Sequence, residues 1–198
     1  MANKGLLVVL SAPSGCGKDT VFRELQKRRE DIVESVSATT RAPREGEVDG
    51  VNYFFKTEEE FKKLLNSRGL LEYTVYNGCY YGTPVEGVDR AIAEGKICFL
   101  IIEVEGGQNI MRLRPDCVSI FLLPPSLEVL EQRLRGRKTE TEECIQRRLE
   151  VAEFEIGYAD RYKYNVVNDD LQKAVDKVNA ILEKELAIHN RNINLEND

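Results

Sequence analysis

The stretch from Gly5 to Thr20, GLLVVLSAPSGCGKDT, constrains the chain more than any other. GLLVVLS is an unbroken apolar run ending in turn residues, the pattern of a strand buried on both faces of a parallel sheet. DTVFRELQKRRE then puts Val21, Phe22 and Leu25 on one side and charges on the other, which predicts an amphipathic helix. Strand, glycine loop and a helix beginning at a lysine form the arrangement in which loop amides, lysine and helix dipole hold a phosphate. The standard pattern is glycine, four residues, then Gly-Lys-Ser/Thr. Here Ala12 stands in place of the first glycine and Asp19 follows Lys18. Gly15 and Gly17 still let the backbone approach phosphates. Thr20, one residue on, supplies the hydroxyl that magnesium normally finds after the lysine. Ala12, Pro13, Ser14, Gly15, Cys16, Gly17, Lys18, Asp19 and Thr20 therefore read as a nucleotide-phosphate site. The sequence leaves open whether Thr20 or Asp19 assists the metal.

Two further buried-strand candidates lie at KICFLIIEVEGG (96–107) and DCVSIFLLPP (116–125), and a shorter one at KYNVVN (163–168). Helical stretches separate them, which predicts an α/β fold: a three-layer α/β/α core around a parallel sheet. Leu171, Val175, Val178 and Leu182 recur at helical spacing and predict a closing helix, with the polar tail after His189 expected to fray. Residues 33–95 carry β-branched and aromatic clusters between charged turns and read as a small strand-rich insertion. Residues 126–160 read as two charged helices around Gly136, a lightly cored hairpin suited to a lid. Thr139 and Glu142 are expected to form a capping box for the second helix, whose apolar stripe is Ile145, Leu149, Ala152 and Ile156. The core is thus expected at 1–32, 96–125 and 161–198.

Composition narrows the function. A chain of 198 residues with 42% hydrophobic content can bury a core without staples. Its net charge of −6 argues against a general nucleic-acid binder, which needs a basic face to replace counterions. Five scattered cysteines, odd in number and without a C-x-x-C pair, read as free thiols in a reducing compartment. No apolar run is long enough for a membrane span and no cleavage site appears, so a cytoplasmic protein is expected. The lone His189 lies beyond every motif, which argues against histidine-based catalysis.

SVSATTRAPREGEVDGVNYFF places Arg41 and Arg44 three apart beside Tyr53, with Ser37 upstream. Two planar guanidinium forks and a phenol suit a phosphate clamp, although arginines in such a turn, taken alone, also read as solvated. Together with the loop, this stretch, EYTVYNGCYYGTP, RLRGRKTETEECIQRRL and VVNDDL resemble the guanylate kinase family in order and spacing, from about Leu6 to Leu186. The resemblance implies a nucleoside monophosphate kinase with a GMP-binding insertion and an arginine-bearing lid. Such an enzyme moves the γ-phosphoryl group of ATP onto GMP with Mg²⁺. It implies that Arg41, Arg44, Tyr53 and Tyr81 hold the GMP phosphate, that Ser37, Glu72, Thr83 and Glu103 address guanine, and that Gly82 belongs to the same GMP-binding set. Guanine offers donors at N1 and N2 that call for carboxylates, whereas adenine presents the opposite pattern. By the same resemblance Arg133, Arg137 and Arg148 contact ATP or the migrating phosphoryl group, and Asn168 lies near adenine. The family usually has Asp where Glu103 sits, Gln where Glu105 sits, and an acid where this chain has Ile101.

Three other readings compete. A guanylate-kinase-like domain that has lost ATP binding would grip a peptide, but Lys18 and the lid arginines are retained here. A phosphate-loop kinase for another acceptor is countered by Ser37, Glu72 and Thr83. A regulatory GTPase would carry Asn-Lys-x-Asp, which is absent. Nothing in the sequence sets the oligomeric state.

Overall fold

The computed structural model describes residues 5–76, 78–136 and 141–196, with side chains described through residue 192. The chain begins with β1 (Leu6–Ser11), α1 (Lys18–Gln26), β2 (Ile32–Glu34), β3 (Ala38–Thr39), β4 (Phe54–Phe55), α2 (Glu58–Asn66), β5 (Leu70–Tyr76) and β6 (Cys79–Pro84). It continues with α3 (Val85–Ala93), β7 (Ile97–Ile101), α4 (Val104–Leu113), β8 (Val118–Leu123), α5 (Leu127–Gly136), α6 (Glu142–Ile156), a 3₁₀ turn (Ala159–Arg161), β9 (Tyr164–Val167) and α7 (Leu171–Glu196).

The parallel sheet expected from the apolar runs is present, with strand order β2-β7-β1-β8-β9 and every neighbouring pair parallel. β1 lies at its centre, Val8 pairing with Phe99 on one side and Val118 on the other. Because a strand alternates its side chains, Leu6, Val8 and Leu10 join Phe22, Leu25, Val175, Val178 and Leu182 in one apolar cluster. Leu7 and Val9 join Val88, Ile110 and Phe121 in a second. Hence α1 and α7 cover one face and α3 and α4 the other, which is why no position of β1 is polar until Ser11. A second sheet, of order β4-β3-β6-β5, mixes parallel and antiparallel pairs.

Four local expectations change. The run read as a strand over 96–107 stops at Ile101, and Glu103 becomes the N-cap of α4. Acids in a first turn favour a helix. The glycines are kept there by close packing, since a Cβ on Gly107 would lie 2.5 Å from the Tyr162 hydroxyl. The stretch read as strand-rich also holds α2 and α3, and β2 belongs to the five-stranded sheet. α2 is started by a capping box in which Thr57 accepts from the Glu60 amide and Glu60 accepts from the Thr57 amide. The N-cap of α6 is Thr141, which accepts from the Cys144 amide; Glu142 is the first helical residue and pairs with Arg135, while Thr139 lies outside the described residues. Finally, α7 runs on past His189 to Glu196.

Candidate active site

The strand-to-helix loop leaves the carboxyl end of β1, the end of an α/β sheet at which ligands bind. Gly15 and Gly17 have φ of 91° and 90°, a region that only glycine enters cheaply, and Gly17 is the N-cap of α1. Ala12 is fully buried with ordinary φ, so the fold does not need a glycine there. Cys16 is a small buried filler whose thiol burial pushes up to about 11, with Arg133 and Lys18 opposing. Asn168, 6% exposed at the end of β9, donates from Nδ2 to the Cys16 carbonyl at 2.8 Å and so fixes the loop from across the sheet.

Lys18 opens α1 and donates to Glu103 Oε1 at 2.8 Å. Burial opposes its charge, but Glu103, by charge and hydrogen bond, together with Asp19 and Glu155 outweighs this and raises its pKa. Asp19 and Thr20 are exposed on the first turn of α1, two oxygen donors beside the lysine. Among the described residues no cluster of three His, Cys, Asp or Glu is placed to hold a metal alone. This donor set fits Mg²⁺, which keeps several waters and takes most of its protein-side ligation from one or two oxygens plus substrate phosphates.

The helical hairpin α5–α6 packs on the loop. Leu130 and Leu134 of α5 meet Ile145 and Ala152 of α6, and a Cβ on Gly15 would lie 2.8 Å from Leu134. Arg133 donates to the Asn168 carbonyl at 2.9 Å, and Arg148 donates to Ser14 Oγ. Arg137 lies outside the described residues. A residue that the sequence reading missed, Glu155, also points from α6 toward the loop, one carboxylate oxygen buried without a hydrogen bond. Burial raises its pKa to about 7, Glu103 adds to this, and the Ser14 amide and Lys18 oppose it.

The second sheet assembles the other predicted residues. Glu72 on β5 is 8% exposed and accepts at Oε1 from the Thr83 hydroxyl of β6 at 2.8 Å. Burial raises its pKa, Thr83 opposes this, and the nearby Glu105 adds to it. Glu103 therefore turns to Lys18, and Glu105 is the α4 acid that bears on Glu72. Gly82 lets β6 close on its neighbours, since a Cβ there would lie 2.9 Å from the Glu72 carbonyl. Ser37 is half-buried just before β3, its carbonyl accepting from the Phe54 amide. Arg41 lies 5.3 Å from the Tyr53 ring centroid, and Tyr53 packs edge-on to Tyr81 at 6.0 Å. Burial raises the Tyr53 hydroxyl's pKa, with Tyr81, Glu47 and Asp19 adding to it and Arg41 opposing, so Tyr53 and the first turn of α1 feel each other's charge. Arg44 is exposed. Glu47, which the sequence reading did not single out, accepts a paired hydrogen bond from Arg41.

An all-parallel sheet whose central strand feeds a glycine loop, a lysine and a helix defines the phosphate-loop kinase class. The fold is similar to that of a shikimate kinase from Bacteroides thetaiotaomicron, with a TM-score of 0.50 at 16% identity, covering 90% of this chain and 98% of that one. The guanylate kinase family model matches residues 4–185, and the chain belongs to that family. It is 51% identical over 182 residues to a guanylate kinase of Halalkalibacterium halodurans, covering 92% of this chain and 89% of the relative. The crystal structure of guanylate kinase from Anaplasma phagocytophilum is similar with a TM-score of 0.74 at 35% identity, covering 93% of this chain and 87% of that one.

Proposed function

We infer that this chain transfers the γ-phosphoryl group of ATP to GMP, giving ADP and GDP. The observation that carries the acceptor's identity is the buried Glu72–Thr83 pair. Its carboxylate offers acceptors to the guanine N1–H and N2 amino group, and adenine would leave them unpaired. Gly82 lies against Glu72 across β5 and β6, Ser37 precedes the strand that pairs with β6, and Glu105 is the α4 acid whose charge bears on Glu72. Arg41, Arg44, Tyr53 and Tyr81 take the GMP phosphate. The loop from Ala12 to Thr20 takes the ATP phosphates, with Asn168 beside it at the adenine end.

A phosphate oxygen of GMP attacks the γ-phosphorus in line, the bond from that phosphorus to the bridging oxygen breaks, and ADP leaves with the electron pair. The acceptor is already an anion, so no general base is needed and positioning with charge neutralisation carries the catalysis. Lys18 exchanges Glu103 for phosphate oxygens, and Arg133, Arg137 and Arg148 approach the migrating group from the lid. Thr20 or Asp19 would hold Mg²⁺ together with the phosphates, where it would neutralise part of their charge. Closure of the 33–95 insertion and the 126–160 lid excludes water. All five cysteines are free, which supports a cytoplasmic setting, and among the described residues no helix is long and apolar enough to cross a membrane.

The test offers ATP and Mg²⁺ with an equimolar mixture of GMP, AMP, UMP and CMP and resolves the products by chromatography. GDP is expected as the dominant new diphosphate, matched by ADP. Glu72→Gln is expected to narrow the preference for GMP over AMP by about a hundredfold. ADP release matched by another diphosphate would overturn the acceptor assignment.

A further inference from the structure

Arg41 does not wait in solvent for a phosphate. Its Nη1 donates to Glu47 Oε2 and its Nη2 to Glu47 Oε1, both at 2.9 Å, and Nη1 also donates to the Ala42 carbonyl at 2.7 Å. The pair is mostly covered, with side chains 16% and 19% exposed. Glu47 Oε2 also accepts from the Arg44 amide at 2.7 Å, and the Glu47 amide donates back to the Arg44 carbonyl at 3.1 Å. One carboxylate thus closes the 44–47 turn, in which Gly46 has φ of 82°, and grips the preceding arginine.

The contacts divide the guanidinium into two parts. Glu47 holds its outer end, the edge formed by Nη1 and Nη2. The Nε–H and the second N–H of Nη2 form the other edge, outside the Glu47 pair, and together with the Tyr81 hydroxyl that bears on the guanidinium they suit two phosphate oxygens. The Tyr53 and Phe55 rings pack on the guanidinium, with centroids 5.3 and 5.7 Å away, and the Tyr81 hydroxyl lies against it. A long side chain with many rotamers is therefore fixed before any ligand arrives, and preorganisation of this kind strengthens binding by removing an ordering cost.

We propose that Glu47 is a positioning residue for the acceptor phosphate: it orients the second edge of Arg41, the one beside Tyr81, and, through the 44–47 turn, brings Arg44 to the same side. This rests on the reading of Arg41 and Arg44 as ligands of the GMP phosphate. A carboxylate beside a phosphate site also repels the incoming anion, so a mere competitor for Arg41 would have the opposite effect on binding. The sign of the change on removing the charge decides between the two.

The experiment compares wild type, Glu47→Gln, Arg41→Ala and the double variant. It measures kcat, the KM for GMP, the KM for ATP and the inhibition constant of guanosine, which lacks the phosphate. The Gln amide still accepts from the Arg44 amide but cannot accept from both guanidinium nitrogens. Glu47→Gln is expected to raise the KM for GMP about tenfold while the KM for ATP and guanosine inhibition stay within about twofold. On Arg41→Ala the same change is expected to add less than about threefold, because its partner is gone. Glu47→Asp, which keeps the charge but shortens the reach, is expected to move the KM for GMP in the same direction by less, and it serves as the readout should the Gln variant fail to fold.

An unchanged or lower KM for GMP in Glu47→Gln, with Arg41→Ala still raising it, would overturn the positioning role alone. Equal losses for guanosine and GMP would overturn it in favour of general loosening of the insertion. An Arg41→Ala variant with unchanged KM for GMP would instead remove the phosphate-clamp reading on which the proposal stands.

Discussion

The loop around Lys18 and the turn around Arg41, the two places proposed to meet phosphate, are shaped by different parts of the chain. Around Lys18 the shape is set mainly by backbone, two left-handed glycines and a buried Ala12, with one side chain, Asn168, donating from Nδ2 to the Cys16 carbonyl. Around Arg41 and Glu72 it is set by side chains bonding to one another, Arg41 with Glu47 and Thr83 with Glu72. A site built by backbone survives the loss of a side chain's charge with its geometry intact. One built by side-chain pairs loses orientation together with charge.

Lys18→Ala tests the first half and has the largest expected effect. The lysine is held chiefly by Glu103, whose side chain is 61% exposed, so its removal leaves that carboxylate in water. Turnover is expected to fall by about a thousandfold or more, as when a preorganised charge at the transition state is deleted. The melting temperature is expected to stay within about 4 °C. Steady-state kinetics beside a thermal melt checks both. Near-normal turnover would remove the loop from the mechanism, and a collapsed melt would show the loop to depend on a side chain after all.

The pH dependence of stability sharpens the comparison, because Glu155 of α6 belongs to neither half and faces the loop with an unpaired oxygen. Its folded-state pKa of about 7 lies above the ordinary 4.5, so the folded chain holds this proton more tightly than the unfolded one. That contribution to stability is complete below about pH 4.5 and is lost as the pH rises through about 7. Glu155→Gln does not titrate. Wild type is therefore expected to lose stability relative to the variant between about pH 5 and pH 8, by on the order of 1 kcal/mol once solvent screening is allowed for. Chemical denaturation of both proteins across that range measures it, and parallel curves would mean that the carboxyl is solvated in the folded chain.

The same division explains what the sequence discloses. β1, α1 and the loop can be read directly because continuous apolar burial, helical spacing and glycine placement are local signals. α7 can be read from Leu171 through Leu186, which still packs on the core, while its continuation to Glu196 is mostly polar and gives a weak signal. β3 and β4, two residues each, exist by pairing with β6 and with each other, and no window of sequence contains that information. α2 carried a readable Thr57–Glu60 capping box, masked by the aromatic texture around it. Glu47 and Glu155 look like an ordinary turn acid and an ordinary charged helix face. Their roles arise from what the fold sets opposite them. Glu72 and Thr83 entered through family resemblance, since eleven positions separate them and their bond exists only once β5 and β6 lie side by side.

Ala12 gives the smallest effect and the most direct test of a backbone-built loop. The usual pattern has glycine there, yet Ala12 is fully buried and, among the described residues, Arg68 is the one non-glycine with positive φ. The methyl group fills core space and the backbone adopts a conformation open to any residue, so restoring the usual glycine removes packing and adds freedom to the unfolded chain. Ala12→Gly is expected to lower stability by about 1 kcal/mol and to change turnover by less than about twofold. Denaturant unfolding and steady-state kinetics measure the two together. A rise in turnover of tenfold would mean that the Ala12 methyl holds the loop away from its phosphates, and the backbone would then have to share control of this half of the site with a side chain.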